Sequence, residues 1–367
     1  MKTHDFYFDL PPELIAQTPL ERRDGSRLLV LDKSTGAVEH RHFYDLPEYL
    51  HPGDCLILNN SRVLPARLLG HRLPGGGACE ILLLIDRGDN VWECLVRPGK
   101  KLRKGARVSF GDGELTAEIV EELPDGNRLV RFEYEGIFLE VLERLGKMPL
   151  PPYIKEELQD QERYQTVYSK VNGSAAAPTA GLHFTPELIQ KIRDHGCGWA
   201  TVELEVGIDT FRLVTEDDPT QHVMHTERYH VSQEVVDAVH KAKAEGHRVI
   251  AVGTTAVRSL ESAFDADAPV SDPAVMARYF EGREDGADTL GRGDIVAREN
   301  ATTQLYLMPG STYHVVDALI TNFHVPRSTL MMLVSALATR NQIMDAYAAA
   351  IEERYRFFSF GDAMLIQ

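Results

Sequence analysis

Cysteine is scarce in this 367-residue chain, and its four thiols, Cys55, Cys79, Cys94 and Cys197, form neither a C-x-x-C pair nor a regular framework. A disulfide scaffold and a zinc knuckle are therefore unexpected, and the thiols read as reduced and mostly buried. Long apolar runs are missing too: the longest, around Leu330 to Ala338, is too short to span a bilayer. Neither a G-x-G-x-x-G turn nor a Walker loop occurs, which counts against dinucleotide and nucleoside-triphosphate chemistry. Positive charge is in deficit, with 39 Lys and Arg against 55 Asp and Glu for a net −16, so a protein that coats a polyanion over its whole surface is excluded. The first residues, Met1 to Asp9, are too acidic for a secretory signal, and a cytoplasmic location is expected.

What remains is a globular composition, 43% hydrophobic and 26% charged, at a length that accommodates two domains. Two apolar runs, Arg27 to Asp32 and Asp54 to Asn59, read as strands of a sheet covered on both faces. From Leu68 to Tyr134 the texture changes to short strands at Glu80–Ile85, Val91–Val96, Leu115–Val120 and Arg128–Tyr134, punctuated by Gly and Asp-Gly turns. That spacing predicts a small all-β barrel or sandwich. A helix over Ile137–Leu145 and the stiff Met148-Pro-Leu-Pro-Pro-Tyr-Ile154 crossing mark its end.

Beyond the crossing, helix and strand alternate, which predicts a parallel or mixed α/β sheet. Helices are expected at Pro186–His195 after a Thr185 cap, at Glu234–Ala244 between Ser232 and Gly246, from Thr254 to Phe264, from Thr329, and over Ile343–Tyr355. Strands are expected at Thr201–Val206, Arg248–Val252, Gln304–Leu307, Val316–Asn322 and Ala363–Ile366, with Asp265 to Asn300 an acidic exposed insertion. The fold class is thus α/β, an α/β sheet domain formed by residues 1–67 and 148–367 with an inserted small β-barrel domain at 68–147.

Several polar clusters fall where strands end. In Ala177 to Glu187 a small-residue loop delivers His183 just ahead of a helix N-terminus, a place where backbone can approach a ligand and a proton can be exchanged, although a packed histidine in a tight turn reads equally well. Thr254, Thr255 and Arg258 follow one strand, and Asn322 and His324 follow another. Asn59, Asn60, Arg62 and Arg67 offer amides and guanidinium groups at a third, or form a solvated loop. His222, His225 and Glu227 have ligand-like spacing but no H-E-x-x-H pattern, and no metal is expected. Arg97, Lys100, Lys101, Arg103, Lys104 and Arg107 crowd a stretch without acids, either a phosphate-contacting face or a charged hairpin.

Read together, Leu58 to Arg67, Met148 to Ile154, Tyr164 to Tyr168, Ala176 to Phe184, Arg248 to Arg258, Val316 to His324 and Tyr355 to Met364 resemble the S-adenosylmethionine:tRNA ribosyltransferase-isomerase family of queuosine biosynthesis. The resemblance implies an α/β domain interrupted by a barrel, with S-adenosylmethionine as cosubstrate and no metal or redox cofactor. It further implies ribosyl transfer onto 7-aminomethyl-7-deazaguanine at the wobble position of tRNA, giving epoxyqueuosine with release of adenine and methionine. Within that chemistry His183 is the first candidate for proton transfer, with Glu203, Glu205 and His324 next. Asn59, Asn60, Arg62, Arg67, Thr179, Gly181, Thr254, Thr255, Arg258 and Asn322 are candidates for the small substrate, and Arg97, Lys100, Lys101, Arg103 and Lys104 for RNA. Asp209 stands where the family has a more permissive residue. A noncatalytic tRNA-binding module and a methyltransferase using the same cosubstrate are the competing readings.

Overall fold

The computed structural model describes residues 1–207, 214–269 and 292–367, so Asp209 and most of the acidic insertion lie outside the described residues. Contacts divide the chain into two compact units. The first is Met1–Ser61, Pro152–Val171 and Ala177–Gln367, and the second is Arg62–Pro151 with Asn172–Ala176.

The first unit is built on a nine-stranded sheet in the order Arg298–Thr303, Glu227–Val231, Gly198–Leu204, Cys55–Asn59, Val249–Val252, Ala318–Asn322, Ala363–Ile366, Arg27–Leu31, Val38–His42. Its central strands, from Gly198–Leu204 to Ala318–Asn322, run parallel. Cys55–Asn59, Val249–Val252 and Ala318–Asn322 are buried along their whole length, which is why they read as unbroken apolar runs. The strand Ala363–Ile366 is antiparallel to Ala318–Asn322, and Arg27–Leu31 is parallel to it. Consequently Asn59, Val252 and Asn322 at strand ends share one edge of the sheet with Ser26 and Asp362 at strand starts. One face is sealed by Phe43, Leu46, Phe184, Leu188 and Ile192 over Leu56, Leu58, Ile250 and Ile320.

Helices start where the sequence supplies caps. Thr185 accepts from Leu188 N and Ser232 from Val235 N, and Gly246 closes its helix at φ +85°, a conformation that glycine adopts without strain. Two boundaries differ from the sequence reading. The strand expected at Gln304–Leu307 is Arg298–Thr303, whose register with Glu227–Val231 is set by pairing rather than by apolar content. The expected insertion also begins and ends in structure, since Phe264–Pro269 and Arg292–Ile295 pair as antiparallel strands despite their acidity. No helix among the described residues is long and apolar enough to cross a membrane.

The second unit is a closed six-stranded antiparallel barrel, Arg67–Leu73, Ala78–Asp86, Val91–Arg97, Arg128–Tyr134, Leu115–Glu122 and Arg107–Phe110, the last pairing back to the first. Closure removes the exposed edges that a small sheet would otherwise present. Alternating residues such as Leu68, Ile81, Leu83, Val108, Phe110, Ile119 and Phe132 fill its interior. The Phe138–Leu145 helix packs Val141 and Leu142 into the same core. All four cysteines are free and buried, and burial pushes the Cys55 and Cys197 thiols up to about 11, so they are protonated at neutral pH.

Candidate active site

The parallel-strand edge of the first unit carries a chain of polar side chains centred on His183. The residues 179–183 form a 3-10 turn whose small side chains, Ala180 and Gly181, let the backbone settle against the sheet. A Cβ on Gly181 would lie 2.0 Å from the Tyr168 hydroxyl, so glycine is required there by packing. His183 is 5% exposed and stacks on Phe43 at 4.9 Å between ring centres. The Thr179 hydroxyl donates to Asn322 Oδ1 at 2.8 Å, which turns the Asn322 amide nitrogen toward the ring, 3.2 Å from His183 Nε2. With Nε2 accepting, a neutral ring carries its proton on Nδ1 and donates it to Ser26 Oγ at 2.8 Å. Burial, reinforced by the charges of Arg356 and Arg23, lowers the His183 pKa to about 3, so the imidazole is neutral at physiological pH.

Ser26 and His183 line a small cleft open to solvent, together with Arg23, Arg163, Ser359 and Phe360. None of these additional residues was singled out from the sequence. Ser26 sits just before the first buried strand, and only the placement of the C-terminal strand beside that start brings it to the same edge as Asn322. A usable signal was present in the Tyr355 to Met364 string, which contains Ser359 and Arg356.

Other sequence candidates divide by location. Thr254 and Thr255 open the Thr254–Ala263 helix after Gly253, whose φ of +87° permits the sharp turn from strand to helix at the same edge. Thr255 Oγ1 and Asn60 Oδ1 are enclosed without an acceptor or donor among the described residues. Asn59 is spent within the sheet: it donates to Leu204 O at 3.0 Å and accepts from Ser61 N, Ser61 Oγ and Leu204 N. That makes it a clasp between two strands. His324 is likewise enclosed, bonded to Thr321 Oγ1 at 2.8 Å, and its burial alone lowers its pKa to about 3. Glu203 is half-buried at its strand end and Glu205 exposed beyond it. Desolvation raises the Glu205 carboxyl, opposed by Arg228 and reinforced by Glu203.

Arg258 is 4% exposed and pairs with Glu227, which also meets His225 Nε2 at 3.0 Å and Gly207 N at 3.3 Å. Burial pushes the Glu227 carboxyl up, but the bonds and charges of His225 and Arg258 prevail and hold it below its usual value. His225 and Glu227 thus serve an ion pair. His222 instead meets Glu216 at 3.1 Å.

Arg62 and Arg67 belong to the second unit, where Arg67 pairs with Glu80 at 2.9 Å. The basic stretch lies there as well. Arg97, Lys100, Lys101, Arg103, Lys104 and Arg107 are all exposed, with Arg107 paired to Glu133 at 2.8 Å. The stretch is no hairpin, because its flanking strands, Val91–Arg97 and Arg107–Phe110, are not neighbours in the barrel. It is a crossover held by buried Leu102 and by Arg128, whose Nε donates to Leu102 O at 3.0 Å.

Fold and site together define a class: an α/β protein with a polar cleft at the carboxyl edge of parallel strands and an inserted six-stranded barrel. The chain belongs to the queuosine biosynthesis protein family, whose profile matches residues 3–366. It is 51% identical to a protein named S-adenosylmethionine:tRNA ribosyltransferase-isomerase from Clostridioides difficile (strain 630), over 100% of both chains. A crystal structure named S-adenosylmethionine tRNA ribosyltransferase, from Thermotoga maritima, matches with 37% identity and a TM-score of 0.52, covering 99% of this chain and 100% of that one.

Proposed function

We propose that this enzyme transfers and isomerises the ribosyl part of S-adenosylmethionine onto 7-aminomethyl-7-deazaguanine at the wobble position of tRNA. The products are epoxyqueuosine in tRNA, adenine and methionine. The full-length 51% identity to a protein bearing the ribosyltransferase-isomerase name supports the reaction class. The observation that carries the chemistry is the Ser26–His183–Asn322–Thr179 chain beside the cleft.

The sulfonium of the cosubstrate acidifies the adjoining ribose carbon, so the reaction needs a group to take that proton and a donor for the departing adenine. One heavy-atom frame serves both needs. In the polarity described, His183 Nδ1–H donates to Ser26 Oγ, and the serine's own proton is free to point at a leaving group. Turning the Asn322 amide end for end reverses the chain: the Ser26 hydroxyl then donates to Nδ1, Nε2–H donates to Asn322 Oδ1, and His183 becomes the acceptor for a proton relayed through Ser26. Burial keeps His183 neutral in either polarity, which suits a group placed next to a sulfonium. The exposed cations at 97–107 supply phosphate contacts for the RNA, as a chain of net −16 must concentrate positive charge where it meets a polyanion.

Incubation with ribose-labelled S-adenosylmethionine and precursor-bearing tRNA tests the reading. Ribose label in the RNA together with free adenine is the expected result. A methyl mass increment identifies a methyltransferase, and unmodified RNA identifies a binding module.

A further inference from the structure

The cleft beside His183 is lined by Arg23 and Arg163 and by no Asp or Glu. Arg356 reaches the same region, donating to Thr18 O, next to the cleft's Pro19. Each guanidinium is anchored by neutral carbonyl oxygens: Arg23 by Leu182 O at 3.1 Å and Glu162 O at 3.0 Å, Arg163 by Leu20 O, Arg356 by Thr18 O. Such anchors fix position without a direct ion pair, and the carboxylates that act on these charges, Asp160 and Glu162 on Arg23 and Asp362 on Arg356, lie outside the cleft lining. Among the described residues none of the three pairs with a carboxylate, and Arg163 Nε and Arg356 Nη1 are enclosed without an acceptor. Burial depresses the Arg23 and Arg356 guanidinium groups; Arg163 depresses Arg23 further against the opposing charges of Asp160 and Glu162, and Asp362 opposes the shift of Arg356 without reversing it. Three guanidinium groups around a cleft with no acid in its lining, two of them holding an enclosed nitrogen that no acceptor meets, present an incoming anion with unmet donors.

We propose that Arg23, Arg163 and Arg356 bind one substrate oxyanion, a carboxylate or a phosphate, in the cleft beside His183. The inference rests on the ribosyl-transfer reading, whose substrates offer one of each: the methionyl carboxylate of S-adenosylmethionine and the phosphates of tRNA. The forked guanidinium donors match either group. The anion also acts on the imidazole. Burial first, and then the charges of Arg356 and Arg23, hold the His183 pKa down, so an anion seated among the arginines raises it. Loading the cleft and strengthening the base are linked in this way.

Calorimetry on the full chain tests the proposal with Arg163→Gln, Arg356→Gln and the charge-keeping Arg163→Lys, against S-adenosylmethionine, its decarboxylated analogue and an anticodon stem-loop RNA. For a carboxylate, the Gln variants weaken S-adenosylmethionine roughly 10- to 100-fold, leave the decarboxylated analogue unchanged, and are partly rescued by Lys. For a phosphate, S-adenosylmethionine is unaffected while RNA affinity drops and its salt slope falls by about one per variant. Equal affinities for all three ligands in wild type and variants overturn the proposal, and so does parallel weakening of S-adenosylmethionine and its decarboxylated analogue, which marks a structural role. Failure of the functional reading shows separately, as a wild-type protein that releases no adenine although the arginines still discriminate the two small ligands.

Discussion

The arginines around the His183 cleft and the cations of the barrel's 97–107 crossover have the same charge sign and opposite surroundings. Arg163 and Arg356 hold enclosed nitrogens with no acceptor, at about 1–3 kcal/mol for each unmet donor. Lys100, Lys101, Arg103 and Lys104 stand in water, where a charge costs nothing to keep. The first arrangement acts at short range, because its desolvation has already been met in folding and an anion fitted to the unmet donors would recover part of it. The second acts at long range and is screened by salt. The contrast is therefore between donors held in place and unmet and charges that stay solvated and attract at a distance.

Four experiments would break or sharpen that contrast, beginning with the deepest group. His183→Asn keeps a hydrogen-bonding amide but cannot accept a proton at neutral pH, and single-turnover adenine release should fall by roughly two to four decades with substrate affinity little changed. A near-normal rate would make His183 a packing residue and pass proton transfer to Glu203 or Glu205.

Next in size is Gly181→Ala, whose Cβ would meet the Tyr168 hydroxyl at 2.0 Å and Thr166 Cγ2 at 2.8 Å. Tyr168 is wedged edge-on against Phe184 and Trp199, so the ring has little room to yield. Denaturant unfolding should show a loss of about 1–3 kcal/mol. A neutral outcome would mean that this turn is free to shift.

The buried histidines also set a pH dependence. The His183 pKa is lowered from 6.5 to about 3, so between those values the unfolded chain binds a proton that the folded one refuses, and stability falls as pH falls. The slope is up to about 1.4 kcal/mol per pH unit for such a group. Unfolding curves from pH 7 to pH 4 should therefore be flatter for His183→Asn than for wild type. Parallel curves would show that the imidazole titrates in the folded protein.

The smallest effect is expected where charges are exposed. Replacing Lys100, Lys101 and Lys104 together by Ala should weaken tRNA binding about tenfold at low salt and reduce the salt slope, with S-adenosylmethionine binding untouched. Unchanged affinity and slope would move the RNA contacts to another surface.

Much of the fold was legible because burial on both faces leaves a plain mark. Cys55–Asn59, Val249–Val252 and Ala363–Ile366 are apolar runs, and the caps at Thr185, Ser232 and Ser328 are short-range hydrogen bonds written in adjacent residues. Arg67–Leu73 and Arg107–Phe110 were missed because the first exposes Leu69 and Leu73 on its outward face, which blurs its alternation, and the second is only four residues long; barrel closure pairs the two with each other. At the candidate site, His183 stood out from its small-residue loop ahead of a helix and Asn322 from its strand end, while Ser26 and Arg163 carried no such local mark.

The sequence by itself determined the element types, the composition break that separates barrel from sheet, the family, and the residue types available for proton transfer. Tertiary structure alone decided which of them meet. Ser26, His183 and Asn322 are separated by more than a hundred residues at each step, and they touch because the C-terminal strand lies between the Ala318–Asn322 strand and the Arg27–Leu31 strand. Local propensity acts over a few residues and cannot encode that order. Sheet order is set by which buried faces and strand edges satisfy one another across the whole chain, and it joins three positions far apart in the sequence in one chain of hydrogen bonds.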